Sequence, residues 1–325
     1  MRKLIALLCA MMWLALATGA QAQNADLAAQ DLRLARIADA MLVSNVKLCR
    51  ETMPVTGMIL HSADQYGNAA PSLFRNGSLA IAAVVPGSTA ERAGLKSGDG
   101  IAAVNGVSVN SMVPTGKDHL REVAFFQLAG LAPEASVELT ILRDGETRSV
   151  GFDAPQGCQS LVEVLPSGDF SARSNGRVIQ VQYDFLLSLS DDQLAVILAH
   201  ELSHSVLEHR RRKVEAGIDN ASIMRHLGRN QQVNRQAEIE ADRLSVHILA
   251  NAGYDAAIAP AFWRSEQGLV AGGGAIPSFI YPTQSARAAM IEQEIARYLP
   301  LGHGPSWPGH LLRLRDASFA GDQAF

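Results

Sequence analysis

The sequence predicts an α+β chain in which a helix-rich host is interrupted by a β-rich insert. Three observations carry that prediction. From Asn24 to Leu48, apolar side chains (Leu27, Leu32, Leu34, Ile37, Met41) recur at near-helical spacing, with no Pro or Gly between them. From about Val55 to Pro155 the texture changes to short β-like runs separated by Gly, Asn and Pro. After Ser160 helical spacing returns and continues to Tyr298. A chain of 325 residues, 48% of them apolar, has room for two domains of ordinary size with real cores. With 28 basic against 32 acidic side chains it lacks the basic excess of a protein that tracks nucleic-acid phosphates.

The N-terminus has the pattern of a signal peptide. Arg2 and Lys3 give it a positive end, Leu4 to Thr18 an apolar run, and Ala20-Gln21-Ala22 small residues for cleavage after Ala22. The competing reading is a retained anchor, but the run is short for a span that needs about 20 apolar residues. A cleaved signal implies a periplasmic or secreted protein, and no later stretch is long and apolar enough to span a bilayer. In such an oxidising compartment the two remaining cysteines, Cys49 and Cys158, favour a disulfide over two separate buried thiols. They bracket the β-rich segment, so a bridge would staple the insert where it leaves its host.

Within the insert, Leu79–Val85, Val137–Leu142 and Thr147–Phe152 read as strands. Asp144-Gly145 between the last two is a strong hairpin signal. The run Val85-Pro86-Gly87-Ser88-Thr89-Ala90-Glu91-Arg92-Ala93-Gly94-Leu95-Lys96-Ser97-Gly98-Asp99-Gly100-Ile101, then Val104-Asn105-Gly106, resembles the PDZ domain: a strand, a short helix carrying Ala-Gly-Leu, a Gly-Asp turn and a strand ending in Val-Asn-Gly. Gly100 stands where that family commonly has a larger residue. The resemblance covers about a hundred residues and implies recognition of a C-terminus or exposed strand by strand addition. Gly57-Met58-Ile59-Leu60 is the expected carboxylate-binding loop.

The host resumes with Val178, Ile179, Gln180 and Val181 as a short alternating strand. Asp191 or Asp192 is expected to cap a helix running to about Arg212. Further helices are expected over Ile223–Val233, Gln236–Asn251 and Ser285–Tyr298, with an irregular tail from Gly302. The organisation is therefore 1–22 signal peptide, 23–54 N-terminal helix of the host, 55–156 insert, 157–300 second part of the host, and 301–325 tail.

His200-Glu201-Leu202-Ser203-His204 lies in the first of these helices. Histidines four residues apart share one helix face, so both imidazoles can address one zinc ion. Glu201 is angled toward a water held by the metal and can take its proton. A catalytic zinc needs a third protein ligand and an open position. The metzincin placement is excluded, because its Gly and third His positions are Leu207 and Arg210 here; His209 falls on the wrong face. The better candidate lies in Glu238-Ile239-Glu240-Ala241-Asp242. Glu238 can bind zinc, while Asp242, also i+4 from it, can accept the outer N–H of a ligand histidine. Glu240 is expected to be solvated, as is the basic run His209–Lys213.

The segment from about Ser160 to Arg297 resembles the HtpX- and BepA-like zinc metallopeptidases, the family that includes the CAAX prenyl proteases. His-Glu-x-x-His followed by Glu-x-x-Ala-Asp carries the likeness, supported by Asp191–Leu198, Asp242-Arg243-Leu244 and Ala252-Gly253-Tyr254-Asp255. The resemblance implies a gluzincin fold with one zinc per chain on His200, His204 and Glu238, and Glu201 as general base. It implies that the segment Ser171–Gly176 followed by Val178–Val181 sits where the family has its active-site edge strand, with extended substrate adding beside Val178–Val181. The family's Asn-Ala at the start of that segment is Ser171-Ala172 here. Its His-Pro is Tyr281-Pro282, followed in register by Arg287. Tyr281 is therefore expected to donate to a tetrahedral oxyanion, with Arg287 supporting that region. The function expected is a zinc metalloendopeptidase acting on envelope or secreted proteins. The alternative is a periplasmic zinc-binding chaperone or interaction protein with little proteolysis.

Overall fold

The computed structural model describes residues 26–66, 72–116, 118–166, 171–218, 228–272 and 283–319. The expected signal peptide (1–22), Tyr281 and residues 223–227 of the expected 223–233 helix lie outside them. Helix α1 covers 26–44. It buries Leu34, Ile37, Ala38, Met41 and Leu42, the spacing of a single apolar stripe turned to a core. The chain then forms β1 (Thr52–Pro54) and enters the insert.

The insert contains β2 (Met58–Ser62), β3 (Leu79–Val84), α2 (Thr89–Arg92), β4 (Gly100–Val104), β5 (Val107–Ser108), α3 (Leu120–Ala129), β6 (Val137–Arg143) and β7 (Glu146–Phe152). The strands build one six-stranded sheet in the order β2-β3-β4-β6-β7, with β5 on β4. The expected hairpin is present: Arg143 pairs with Glu146, and Asp144 and Gly145 turn with φ of 53° and 82°. Gly100 also has its reason. A Cβ there would lie 2.0 Å from the backbone oxygen of Asn76, so the close approach leaves room for glycine alone. Leaving the insert, β8 (Gln156–Cys158) pairs antiparallel with β1. Cys49 and Cys158 are disulfide-bonded with their Cα atoms 5.4 Å apart. Two strands and one covalent bridge thus close the insert at its neck.

The host continues with β9 (Leu161–Leu165), β10 (Ala172–Ser174) and β11 (Val178–Gln182), ordered β10-β11-β9. Here an expectation is corrected. Val178, Ile179, Gln180 and Val181 form the central strand, antiparallel to β10 and parallel to β9, so both of their hydrogen-bonding edges are taken. The outer strands are β9 and β10, the latter beginning one residue after Ser171. Strand order is set by long-range pairing, which a local alternation pattern cannot reveal.

Helices follow: α4 (Tyr183–Leu187), α5 (Asp191–Val206), α6 (His209–Glu215), α7 (Gly228–Asn251), α8 (Ile258–Trp263), α9 (Glu266–Ala271), α10 (Gln284–Tyr298) and α11 (Gly309–Leu312). The cap of α5 is Ser190, one residue before the expected aspartates, in a reciprocal box with Gln193. The helix stops at Val206 rather than Arg212, because Glu208 turns left-handed at φ 52° and starts α6. Among the described residues, α7 is one helix from Gly228 to Asn251, so residues 228–233 of the first expected helix run on without a break into the second. The tail is packed, not irregular: Leu311, Leu312 and Phe319 are buried. Among the described residues no helix is long and apolar enough to cross a membrane.

Two main cores result. One joins α1, β11, α5, α7, α8 and α10; the other fills the insert between its sheet and helices. Phe125 of α3 belongs to the first, so the insert plants an aromatic side chain in the host.

Two expectations follow. The bridge closes a separation of 109 residues, so replacing both cysteines by serine should cost about 4–5 kcal/mol of stability, read by urea melts with and without reductant. Asp39, on α1, has its carboxyl raised from 3.8 to about 7 by burial. Between those values the folded chain keeps a proton that the unfolded chain has lost, so stability falls as pH rises through the window. Asp39→Asn should flatten that decline; melting temperatures with the same pH slope as wild type would contradict it.

Candidate metal centre

The centre forms where α5 crosses α7. Both helices are almost wholly buried here, so any polar group they carry must find a partner inside the protein. His200 and His204 face α7 from one side of α5. Their Nε2 atoms are 3.2 Å apart. His200 Nε2 lies 3.2 Å from Glu238 Oε2, and His204 Nε2 lies 3.7 Å from Glu238 Oε1. The three residues thus converge three candidate ligand atoms on one point, within 4.8 Å of one another. The donor set suits zinc: two imidazole nitrogens and one carboxylate, with no fourth group in the cluster among the described residues.

The outer nitrogens of both imidazoles are held as well. His200 Nδ1 stands 3.0 Å from Asp242 Oδ1. Asp242 is fully buried and gripped twice by Arg287, Nε to Oδ2 at 2.7 Å and Nη2 to Oδ1 at 2.6 Å. The guanidinium lies 3.3 Å from the ring centroid of Trp263, whose indole meets His200 edge-on. Arg287 therefore acts on the centre through Asp242. Asp242 is depressed despite its burial, with Arg287 the strongest opposing influence.

The second imidazole is braced by residues the sequence reading set aside. His204 Nδ1 is 2.7 Å from His209 Nδ1, and His209 Nε2 is 3.2 Å from Glu240 Oε2. A carboxylate only accepts, so the proton sits on His209 Nε2, leaving its Nδ1 to accept from His204. Glu240 in turn receives Arg212 Nη1 at 2.6 Å. Arg212 donates to the backbone oxygen of Ala317 and lies over Phe319. Glu240, His209 and Arg212 are all buried, which corrects the expectation that they are solvated. The reason is the break at Glu208: it swings α6 so that His209 and Arg212 turn inward to Glu240. A straight helix would have carried them elsewhere. Glu240 is held down at about 2 against its burial by hydrogen bonds from His209 and Arg212.

Glu201 lies beside the cluster but outside it. Burial raises its carboxyl to about 7, the charge of Glu238 adds to the rise, and His200 and a backbone hydrogen bond from Ser174 oppose it. Ser174 is on β10, so the carboxylate faces the outer strand of the sheet. The pocket at the centre has a volume of about 370 Å³ and is bordered by Ala172–Gly176, Glu201, Lys213 and Trp263. A broader cleft of about 990 Å³ continues past Asn175, His204 and Arg210 toward Phe126 of the insert. The structure thus gathers His200, Glu201, His204, Glu238, Asp242 and Arg287, and leaves Val178–Val181 one strand behind the pocket.

Removing Arg287 would leave the buried charge of Asp242 without its guanidinium, with His200 alone beside it among the described residues. Arg287→Leu should therefore cost about 3–5 kcal/mol. Arg287→Lys should recover only part of it, because one ammonium cannot replace the two-pronged grip. Denaturant midpoints of the two variants check both statements.

Comparison with known families meets this geometry at two places. Residues 60–119 match the family model of the PDZ domain. Residues 170–232 match that of peptidase family M48, and the match spans His200, Glu201, His204 and the β10–β11 pair. A search of curated proteins returned no match. The chain joins a PDZ domain to a peptidase family M48 domain.

Proposed function

We propose that this protein is a zinc-dependent metalloendopeptidase of the cell envelope, cutting protein or peptide substrates. The observation that carries the reading is the convergence of His200, His204 and Glu238 beside a separate carboxylate, Glu201, and a strand, β10, whose outer edge is unpaired among the described residues. Zinc, when bound by those three residues, supplies a Lewis acid and a water acidic enough to attack a carbonyl near neutral pH. The remaining work falls to the chain. Glu201 receives the proton from the attacking water at its carboxylate and returns it to the leaving amine. Asp242 and His209 fix the two imidazoles so that each presents Nε2 to the ion. The outer edge of β10, residues Ala172–Ser174, offers backbone groups to an extended substrate. That role was expected of Val178–Val181, and strand order moves it one strand outward.

Tyr281 keeps its proposed part as donor to the oxyanion. Arg287 is assigned instead to Asp242, which it grips. The likeness to the HtpX- and BepA-like branch rests on the residues flanking the two motifs, and points to envelope proteins as substrates. The oxidised Cys49–Cys158 pair supports an envelope or secreted location, as does the N-terminal pattern. The PDZ domain supplies recognition of a partner or substrate terminus.

The test is metal analysis and casein cleavage, comparing wild type with Glu201→Gln. One zinc per chain is expected in both, with cleavage reduced about 10²–10⁴-fold in the variant. Asp242→Asn should weaken zinc retention against a chelator about 10–100-fold. Bound zinc with cleavage indifferent to Glu201 would discard the peptidase reading.

A further inference from the structure

A polar chain crosses the small sheet from the insert to the outer strand. Arg121 of α3 pairs with Glu163 of β9, both of them buried. Gln180 of β11 donates its Nε2 to the other oxygen of Glu163. Arg173 of β10 donates its Nε to Gln180 Oε1 at 2.8 Å. The strand register puts these side chains in one row, with Arg173 opposite Gln180 and Gln180 opposite Glu163. The row lies on the polar face of β11, opposite Ile179 and Val181, which pack in the host core. Three strands are thereby tied to one arginine of the PDZ domain.

That arginine stands at a second junction. Strand β2 is an edge of the PDZ sheet, and α3 carries Arg121, Phe125 and Leu128 beside it. Between β2 and α3 lies the space where a peptide would add as a strand, and α1 and β9 of the host close it off. Asp31 of α1 pairs with His61 of β2 at 3.2 Å and accepts the backbone N–H of Val164 at 3.3 Å. The space left between them has a volume of about 90 Å³, room for a few waters and not for a peptide terminus. Ser160 Oγ, at its wall, is buried without a hydrogen-bond partner among the described residues, as is Arg121 Nε. An incoming peptide must therefore part the insert from α1 and β9, and Arg121–Glu163 is the buried ion pair standing there.

We propose that Arg121 and Glu163 are positioning residues for the substrate strand, and that an apolar peptide C-terminus entering the PDZ groove alters how that strand is held. With the groove closed, Arg121 fixes Glu163, Glu163 fixes Gln180, and Gln180 restrains Arg173 on β10. With the groove open, Glu163 loses its cation and the row loosens. The link to catalysis rests on the peptidase reading above; the link to β10 does not.

Two readouts keep these apart. Amide hydrogen exchange over 171–176 should speed up about tenfold in Arg121→Met and in Glu163→Gln, with α5 unchanged. The double variant should exchange no faster than either single one, because both cut the same chain. Gln180→Ala severs the row at a half-buried position without stranding a charge, and should act likewise if the buried variants fold poorly. In wild type, a ten-residue peptide ending in valine with a free carboxylate should reproduce the change, and its C-terminal amide should not. With a quenched fluorescent substrate the same variants should raise KM about tenfold while kcat stays within about twofold. Exchange at β10 unmoved by Gln180→Ala, or additive in the double variant, overturns the proposal. Should wild type show no Glu201-dependent cleavage, the peptidase reading falls and the exchange result alone decides the row.

Discussion

The rest of the structure depends on a charge that has no access to water. Asp242 sits at the crossing of α5 and α7, fully buried, and it must stay ionised to receive His200. An isolated carboxylate there would be prohibitive. The protein meets the cost with Arg287, brought by α10 and stacked on Trp263 from α8. Four helices are thus fixed in relation to one another by one ion pair. The convergence of His200, His204 and Glu238 follows from that arrangement, since α5 and α7 cannot slide without parting Asp242 from both its partners.

A second brace repeats the logic on the other imidazole. His204 is held by His209, His209 by Glu240, and Glu240 by Arg212, which ends on the backbone of the tail. The outer nitrogens of His200 and His204 are thus each backed, directly in the first case and through His209 in the second, by a buried carboxylate that is itself paired with an arginine. The two braces come from opposite sides: one from α10, the other from α6 and the segment ending at Phe319. Both rings are fixed by the chain itself, which for the proposed metal lowers the ordering cost of binding. It also explains a tail that looked irregular, since its work is done by Ala317 and Phe319 and needs no long helix.

What the sequence made legible was periodic and local. The i, i+4 pairs of His200 with His204 and Glu238 with Asp242 name their own helix faces. Asp144-Gly145 names its own turn, and Cys49 with Cys158 announces the neck of the insert. What stayed hidden was set by distant partners. Nothing near Glu208 is a glycine or proline, so the break that turns His209 and Arg212 inward has no local mark. Glu240 reads as a solvated carboxylate until its partners on α6 are known. Val178–Val181 alternates as any half-buried strand does, and alternation cannot say whether a strand is central or outer. Arg121 and Glu163 are 42 positions apart and carry no motif, yet they meet across the domain junction.

That junction gives the two-domain arrangement its physical sense. A domain tethered by one linker would move independently of its host. Here β1 with β8, the disulfide, Phe125 in the host core, and the Arg121–Glu163 and His61–Asp31 pairs fix the insert at several points. The neck is covalent and stays closed. The groove side is held by buried polar pairs, which are the contacts a competing ligand can replace with its own. The opening proposed for the insert is therefore a hinge at the neck, with the groove side parting from α1 and β9. The side that opens is joined, strand by strand, to the edge beside Glu201.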